Sequence, residues 1–224
     1  MHTNCTNCII PAILPRDVDS LCRTAEQLTF TPKLQLDMVD GTYAAPATWP
    51  YQPTGEPTEV QSVLERYDVQ VDLMAVDPLQ MAETWVRAGA KELVIHLESI
   101  ADLDPIKALR QRYQVPLLLA GGDSVEPAAY LAHRTDIDGV QVMGISTIGQ
   151  QGQPLSPHAV ARVRALREAD ASLPIQVDGS VNASTIDALF AAGATDFVVG
   201  SAIVGATDPR AAYHALRERI PVCR

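Results

Sequence analysis

The chain has few aromatic residues, few basic residues and no long apolar run. Aromatic side chains make up 5% of its 224 residues, so Ala, Val, Leu and Ile must supply most of the core, as in strands buried on both faces. No stretch of about 18 or more apolar residues occurs, which predicts that no helix spans a membrane and that a membrane is not a partner. Lys and Arg number 17 against 27 Asp and Glu, giving a net charge of −10. Because nucleic-acid binding needs a basic surface, this acidity argues against a nucleic-acid partner but not against a small anionic metabolite.

Cysteine is also scarce. The four cysteines, Cys5, Cys8, Cys22 and Cys223, indicate a reduced cytoplasmic protein rather than a disulfide scaffold. The N-terminus has neither the basic flank nor the apolar stretch of a secretion signal, which also favours a cytoplasmic location. Cys5 and Cys8 have the C-x-x-C spacing of zinc and redox sites, yet no second pair has metal-ligand spacing. Whether this pair binds a metal, forms a disulfide or does neither stays open.

Eight short apolar runs alternate with amphipathic stretches along the chain. The runs predict strands at Ile9–Leu14, Lys33–Asp37, Val69–Met74, Glu92–His96, Pro116–Ala120, Gly139–Met143, Ile175–Asp178 and Asp196–Val199. The stretches between them predict helices that include Pro78–Ala88, Pro157–Ala169 and Ser184–Ala192, and Thr58-Glu-Val-Gln61 predicts a capping box. Eight strand–helix units of about 28 residues each favour a single α/β domain over residues 1–224, a (β/α)8 TIM barrel, rather than an open doubly wound sheet.

The longest irregular segment is Gly41–Pro57, which contains four prolines and two glycines. It follows the second predicted strand, at the carboxyl-terminal end of the barrel, where TIM-barrel enzymes have their active sites. A loop of this length in a compact barrel forms either a wall over the site or an oligomer contact, and the sequence leaves both interpretations open.

Small residues follow the last two predicted strands. Asp178-Gly179-Ser180 comes after strand 7, and Gly200-Ser201 comes after strand 8. In an eight-stranded barrel these neighbouring turns form a phosphate site, because small residues let backbone N–H groups approach the ligand closely. The pattern predicts a phosphate cradle that needs neither Lys nor Arg.

Polar side chains also end several of the strands. Six side chains are expected to converge at the mouth of the barrel: Gln35, Asp37, Asp72, Asp178, Met74 and Met143. Strand interiors disfavour Asp, and crowded carboxylates repel one another unless a cation, a shared proton or a basic partner intervenes. Two carboxylates on opposite sides of a substrate suit epimerisation, in which one removes a proton beside a carbonyl and the other returns a proton to the opposite face. By contrast, we expect Asp104 and Asp123 to be turn or cap residues and His96 to be a packed or hydrogen-bonded side chain.

Seven segments match the motifs of one enzyme family. They are Pro11-Ala-Ile-Leu14, Gln35-Leu-Asp-Met-Val-Asp-Gly41, Val71-Asp-Leu-Met74, His96-Leu-Glu98, Val142-Met143 with Gly149-Gln-Gln-Gly-Gln153, Val177-Asp-Gly-Ser-Val-Asn182 and Val199-Gly-Ser-Ala202. On these segments the chain resembles the ribulose-phosphate 3-epimerase family over nearly its whole length. The resemblance implies a ribulose-phosphate-binding barrel with Asp37 and Asp178 as the acid–base pair and Met74 and Met143 beside the active centre. It also implies phosphate- or substrate-binding positions at Gly149, Gly152, Gly179, Ser180, Gly200 and Ser201.

The chain departs from that family at the metal site. The family holds a divalent metal through two His and two Asp, and the two His positions are Gln35 and Asp72 here. The candidate ligands Gln35, Asp37, Asp72 and Asp178 offer only oxygen, which favours Mg²⁺ or Mn²⁺ over Zn²⁺ or Fe²⁺. Three carboxylates and one divalent ion leave an excess negative charge that would disfavour an enediolate, so loss of the metal, with a protonated Asp72, is the alternative. The chain also has Ala12 where the family has Ser, and Ser180 where the family has Gly. No organic cofactor is expected.

Three functions remain in competition. The first is a sugar-phosphate epimerase that interconverts D-ribulose 5-phosphate and D-xylulose 5-phosphate, with a small phosphorylated sugar as its partner. The second is an aldol-type phosphosugar synthase or decarboxylase, which the D-x-x-D of Asp37 and Asp40 suggests but the lack of a central Lys opposes. The third is a phosphosugar-binding barrel without epimerase activity. Because barrels of this family often associate, a homo-oligomer is a further expectation.

Overall fold

A computed structural model describes residues 8–149 and 152–220, and its eight parallel strands close into one barrel. The strands pair in chain order, and the last pairs with the first. They are β1 (Ile9–Ile13), β2 (Lys33–Val39), β3 (Asp68–Met74), β4 (Glu92–His96), β5 (Leu117–Gly121), β6 (Gly139–Met143), β7 (Ile175–Asp178) and β8 (Asp196–Val199). The helices are α1 (Val18–Gln27), α2 (Gln61–Arg66), α3 (Leu79–Ala88), α4 (Asp104–Tyr113), α5 (Pro127–Leu131), α6 (Ala159–Ala169), α7 (Ile186–Ala192), α8 (Ser201–Val204) and α9 (Pro209–Arg217). The predicted TIM barrel is therefore confirmed.

The strands form where apolar residues run continuously, because barrel strands are covered by helices outside and by side chains inside. All five residues of β1, β5 and β6 are buried. Four predicted strands, β4, β6, β7 and β8, match their observed bounds, and the other four differ by one or two residues at an end. In the part of the chain that the structure describes, no helix is both long and apolar enough to cross a membrane.

Glycine ends the helices before two of the strands. Gly89 after α3 and Gly193 after α7 adopt φ values of +121° and +110°, which a residue without Cβ reaches at little cost. The N–H of Gly89 donates to the carbonyls of Trp85 and Val86, which lie in the last turn of the helix and need donors from beyond it. This matches the helix–Gly–strand repeat that the sequence predicts.

The predicted capping box at Thr58 is wrong. A 3₁₀ turn at Pro57–Val60 precedes α2, and the reciprocal cap is one between Glu56 and Glu59, whose carboxylate accepts the N–H of Glu56 at 2.6 Å. The reason is Pro57, which is suited to the first position of a helical turn and so starts this one before Thr58. Two other predicted starts are also wrong, because α6 and α7 each begin two residues later than predicted.

The described residues include only one member of the C-x-x-C pair. Cys8 is buried at the start of β1, whereas Cys5 and Cys223 lie outside the described residues. The expectation about Cys5 and Cys8 therefore stays a prediction.

The interior of the barrel carries two polar layers. On β2 and β3 the strand register pairs Gln35 with Gln70 and, one step nearer the carboxyl end, Asp37 with Asp72. On β6 and β7 it pairs Gln141 with Gln176. Because side chains alternate along a strand, these residues share the inner face. A layer of amides therefore lies directly beneath a layer of carboxylates.

Candidate active site

A cavity of about 200 Å³ opens at the carboxyl ends of the strands. Its floor includes four of the predicted side chains, Asp37, Asp178, Met74 and Met143. Its walls include the predicted small residues Gly149, Gly152, Gly179, Ser180, Gly200 and Ser201. The strand tips thus bring the proposed acid–base pair and the proposed phosphate turns into one space. Two predicted site residues, Gln35 and Asp72, lie below this cavity and do not line it.

Three carboxylates meet at the base of the cavity. Asp37, Asp72 and Asp178 each present an oxygen within 4.8 Å of the others. The three differ in access, because Asp178 is partly exposed, Asp37 is 8% exposed and Asp72 is completely buried. Of the three, only Asp37 and Asp178 line the cavity.

Gln35 bridges the two carboxylates that face the cavity. Its Nε2 donates one hydrogen bond to Asp37 and one to Asp178, both at 2.8 Å. Its Oε1 faces away from them and accepts a hydrogen bond from Gln176 at 3.2 Å. The amide therefore neutralises part of the repulsion between the two carboxylates and fixes their separation.

Asp72 has different partners on neighbouring strands. Its two oxygens meet His96 Nε2 at 3.0 Å and Gln141 Nε2 at 2.8 Å. On its other side, the His96 ring meets the hydroxyl of Tyr43 at 3.2 Å, and that hydroxyl donates to Glu98 at 3.3 Å. The expectation of a hydrogen-bonded His96 agrees with this arrangement, which also brings an imidazole into the carboxylate cluster from β4.

The crowding changes the acidity of the cluster. Burial and the charges of Asp178 and Asp72 raise the pKa of Asp37 well above its ordinary value. Burial and the charge of Asp72 raise the pKa of Asp178 to about 7. Burial lowers the pKa of His96, but the charge and hydrogen bond of Asp72 outweigh it, so the pKa of His96 is raised. The cluster therefore favours holding at least one proton near neutral pH, as the sequence analysis anticipated.

The donor atoms of the cluster fit a hard divalent cation. Three carboxylate oxygens within 4.8 Å of one another form an all-oxygen set of the kind that Mg²⁺ and Mn²⁺ prefer. Gln35 is oriented differently from a ligand, because its nitrogen rather than its oxygen faces Asp37 and Asp178. The ligand set that the geometry offers is therefore Asp37, Asp72 and Asp178.

Sequence analysis did not identify the amide layer below the carboxylates. Gln176 Nε2 lies 3.2 Å from Gln35 Oε1, 2.9 Å from Gln70 Oε1 and 2.5 Å from Gln141 Oε1. These contacts turn the amide nitrogens of Gln35 and Gln141 up towards the carboxylates. The signal was present as Gln two residues before Asp37, Asp72 and Asp178 on three strands, together with Gln141 two residues before Met143.

The turn after β7 has an unusual backbone. Gly179 and Ser180 both have positive φ, +98° and +56°. Any side chain other than hydrogen is strained in this region, which explains why a Gly would suit the position that Ser180 occupies. The turn also packs closely on the end of β6, since a Cβ on Gly144 would lie 2.1 Å from the carbonyl oxygen of Gly179.

The Gly41–Pro57 loop lies beside the cavity and contributes no residue to its lining. Trp49 is 1% exposed and packs edge-to-face on Trp85 with ring centres 5.9 Å apart, which anchors the loop to the barrel. Nearer the site, Ala44 packs so closely on Gly149 that a Cβ there would lie 3.1 Å from it. The loop therefore contacts a residue that lines the cavity, and both the wall interpretation and the oligomer contact stay predictions.

Two acidic residues outside the cluster have structural partners. Asp40 accepts the backbone N–H groups of Thr42, Tyr43 and Val76, and it does not line the cavity, so the D-x-x-D pattern brings only Asp37 into the site. Asp123 lies in a turn after β5, as expected, and its carboxylate also accepts hydrogen bonds from the hydroxyls of Ser146 and Ser156.

Comparisons with solved structures agree with this fold. A 3-hexulose-6-phosphate synthase structure matches with a TM-score of 0.72 and 21% sequence identity, covering 95% of this chain and 99% of that one. The orotidine 5'-phosphate decarboxylase of Pyrococcus horikoshii matches with a TM-score of 0.67 and 17% identity, covering 95% and 98%. At these identities the likeness concerns the fold alone.

Comparisons of sequence go further. The model of the ribulose-phosphate 3 epimerase family matches residues 8–204. The chain is 32% identical over 224 residues to a ribulose-phosphate 3-epimerase of Mycobacterium leprae, covering 94% of each chain. It is also 32% identical over 222 residues to a ribulose-phosphate 3-epimerase, cytoplasmic isoform, of Oryza sativa subsp. japonica, covering 95% of this chain and 93% of that one. The chain belongs to the ribulose-phosphate 3-epimerase family and is an enzyme of the isomerase class.

Proposed function

We propose that this enzyme epimerises a sugar phosphate at C3, interconverting D-ribulose 5-phosphate and D-xylulose 5-phosphate. The observation that carries the proposal is the pair formed by Asp37 and Asp178, which both line the cavity and are bridged by Gln35 at 2.8 Å. The relatives with 32% identity bear the name of this activity.

The two carboxylates would act as base and acid. One removes the proton from C3, beside the carbonyl, and the other returns a proton to the opposite face. This requires one ionised and one protonated member at the start, and the raised pKa of Asp37 and the pKa of about 7 for Asp178 favour such a mixed state near neutral pH. Gln35 donates to both members, so its hydrogen bonds hold the pair in either state.

The phosphate would lie against the turns after β7 and β8. Gly179, Ser180, Gly200 and Ser201 line that part of the cavity. Their small side chains leave the backbone N–H groups accessible to an anion. This suits a strongly acidic chain in which no Lys or Arg among residues 8–149 and 152–220 lines the cavity.

A divalent cation would be held by Asp37, Asp72 and Asp178. Among cations, Mg²⁺ or Mn²⁺ is the proposed choice because all the donors are oxygens. When bound, such an ion stabilises negative charge that develops on the substrate oxygens.

The test is deuterium exchange at C3 of D-ribulose 5-phosphate, followed by NMR in D₂O. We expect the unchanged enzyme to exchange this proton and to form D-xylulose 5-phosphate, and chelation followed by Mg²⁺ or Mn²⁺ measures the dependence on metal. Asp178→Asn should abolish formation of D-xylulose 5-phosphate, which requires both carboxylates, while D-ribulose 5-phosphate still binds. The matched control is Asp196→Asn, because Asp196 starts β8 at the opposite end of the barrel and does not line the cavity. Formation of D-xylulose 5-phosphate that persists in the Asp178 variant would contradict the acid–base assignment.

Three further properties stay proposals. A small phosphorylated sugar is the proposed partner, with no nucleic acid because of the net charge of −10. A homo-oligomer is proposed because barrels of this family often associate, and sedimentation velocity would measure the oligomeric state. A cytoplasmic location is proposed from the low cysteine content and from the name of the rice relative.

A further inference from the structure

One segment of the cavity wall is fastened at both ends to a single carboxylate. Residues 144–156 follow β6 along the chain and precede α6; the structure describes 144–149 and 152–156 of this segment, and Gly149 and Gly152 line the cavity. Near the start of this segment the Ser146 hydroxyl donates to Asp123 Oδ2 at 2.8 Å. At its end the Ser156 hydroxyl donates to Asp123 Oδ1 at 2.7 Å. The two oxygens of Asp123 therefore join the two ends of the segment.

A buried arginine holds Asp123 in turn. Arg162 on α6 is only 7% exposed, and its guanidinium lies 3.3 Å from Asp123 Oδ1 and donates to the Asp123 backbone carbonyl at 2.9 Å. Burial alone would raise the pKa of Asp123, but the hydrogen bonds from Ser156, Ser146 and Arg162 lower it. Asp123 is thus an ionised link between the loop after β5, the segment 144–156 and α6.

Contacts within the segment carry this link towards the cavity. The N–H of Thr147 donates to the Gln153 side chain at 3.1 Å, and that side chain donates back to the Thr147 carbonyl at 2.6 Å. The N–H of Ser156 donates to the Gly144 carbonyl at 2.8 Å. Together with the Asp123 bonds, these form the neck of the segment, and Gly149 lies beyond it against the cavity.

We propose that Asp123 is a positioning residue for substrate: it holds the neck of the segment 144–156 and so keeps Gly149 and Gly152 against the phosphorylated ligand. Asp123 does not itself line the cavity, so it acts through the segment. The inference rests on the proposed function, because it assumes that a sugar phosphate occupies the cavity.

The first test is steady-state kinetics of Asp123→Ala with D-ribulose 5-phosphate. Loss of a binding wall that contributes equally to ground state and transition state raises KM and leaves kcat unchanged, and we expect a KM increase of about tenfold. The matched control is Asp138→Ala. Asp138 also binds an arginine through two bonds, to Arg110 at 2.9 Å each, and a backbone N–H, but it precedes β6 at the far end of the barrel. The control should lose stability with KM unchanged.

A second measurement does not depend on catalysis. Hydrogen exchange at the amides of Thr147 and Ser156 should be faster in Asp123→Ala and unchanged in Asp138→Ala. If Asp123→Ala does not fold, the milder Ser146→Ala/Ser156→Ala variant removes the same two bonds and should show the same rise in KM and in amide exchange.

The outcomes separate this inference from the proposed function. A variant with unchanged KM, or with a reduced kcat and unchanged KM, would overturn the positioning role, even if its amides exchange faster. If the unchanged enzyme binds D-ribulose 5-phosphate but does not exchange C3, the proposed function fails, and the dissociation constant from calorimetry replaces KM as the readout. An enzyme that neither binds nor exchanges would overturn both.

Discussion

Replacing Gln176 with Met tests the amide layer that supports the carboxylates. Gln176 is 2% exposed, and its amide nitrogen contacts the side-chain oxygens of Gln35, Gln70 and Gln141. Met is unbranched and of similar length, so it fills the same space without creating a cavity. The substitution therefore removes the amide donors, together with the oxygen that accepts from Gln70 Nε2 at 3.3 Å, and keeps the volume of the side chain.

The expected loss follows from counting donors. An amide nitrogen carries two hydrogens, so at most two of the three oxygens lose a bond at any moment. A buried acceptor left without a partner costs about 1–3 kcal/mol, which gives a loss of about 4 kcal/mol for two. That is a large share of the about 5–15 kcal/mol by which a protein of this kind is stable.

Urea unfolding provides the assay. Trp49 and Trp85 are both buried, so their fluorescence reports the transition. We expect Gln176→Met to lower the midpoint without changing the slope, because the surface exposed on unfolding stays the same. The control is Gln80→Met on the exposed side of α3, which should change stability by less than about 0.5 kcal/mol. A loss below about 1 kcal/mol in Gln176→Met, with the slope unchanged, would refute the reasoning, since the acceptors would then have other donors.

Three further changes test local features. Burial raises the pKa of Asp138, but the hydrogen bonds from Arg110 and from the backbone N–H of Leu117 outweigh burial, so the pKa is lowered. The ionised carboxylate therefore stabilises the fold above about pH 4, and this stabilisation is lost as the pH falls through the folded pKa. Urea unfolding of Asp138→Asn should show a loss of stability at pH 7 that shrinks as the pH is lowered below about 4. Gly144→Ala should cost about 3 kcal/mol or prevent folding, as measured by thermal unfolding, because its Cβ would lie 2.1 Å from the carbonyl oxygen of Gly179. Ser180→Gly should raise Tm by about 1–2 °C, because relief of the strain at φ +56° exceeds the entropy that Gly loses on folding; a lower Tm would show that no strain is stored there.

The barrel could be predicted from the sequence because its strands are continuous apolar runs separated by helical patterns. Glu92–His96 is an example, since its bounds agree with β4. The end of a strand is harder to predict from the sequence where apolar residues follow a polar one. Lys33–Asp37 was predicted to stop at Asp37, but Met38 and Val39 extend β2 because they too are buried.

The cavity residues could be predicted for a similar reason. Asp37 and Asp178 stand at the carboxyl ends of strands, and barrel geometry brings those ends together whatever the details of packing. What sequence could not give is the direction of each polar group. That Gln35 turns its nitrogen to the carboxylates depends on Gln176, which is 141 residues away along the chain. That Asp123 binds Arg162 depends equally on packing between distant segments.

Asp72 adds a third carboxylate, and so an excess negative charge, to the cluster. Its pairing with His96 determines where that charge lies. A third carboxylate in direct contact with substrate would oppose the build-up of negative charge during proton removal. Asp72, however, is completely buried below the cavity and lies 3.0 Å from the imidazole of His96, whose pKa it raises. The carboxylate of Asp72 therefore lies against an imidazole on β4 and favours the cationic form of that ring. Of the three carboxylates, only Asp37 and Asp178 line the cavity, and these are the two that the proposed two-base reaction requires.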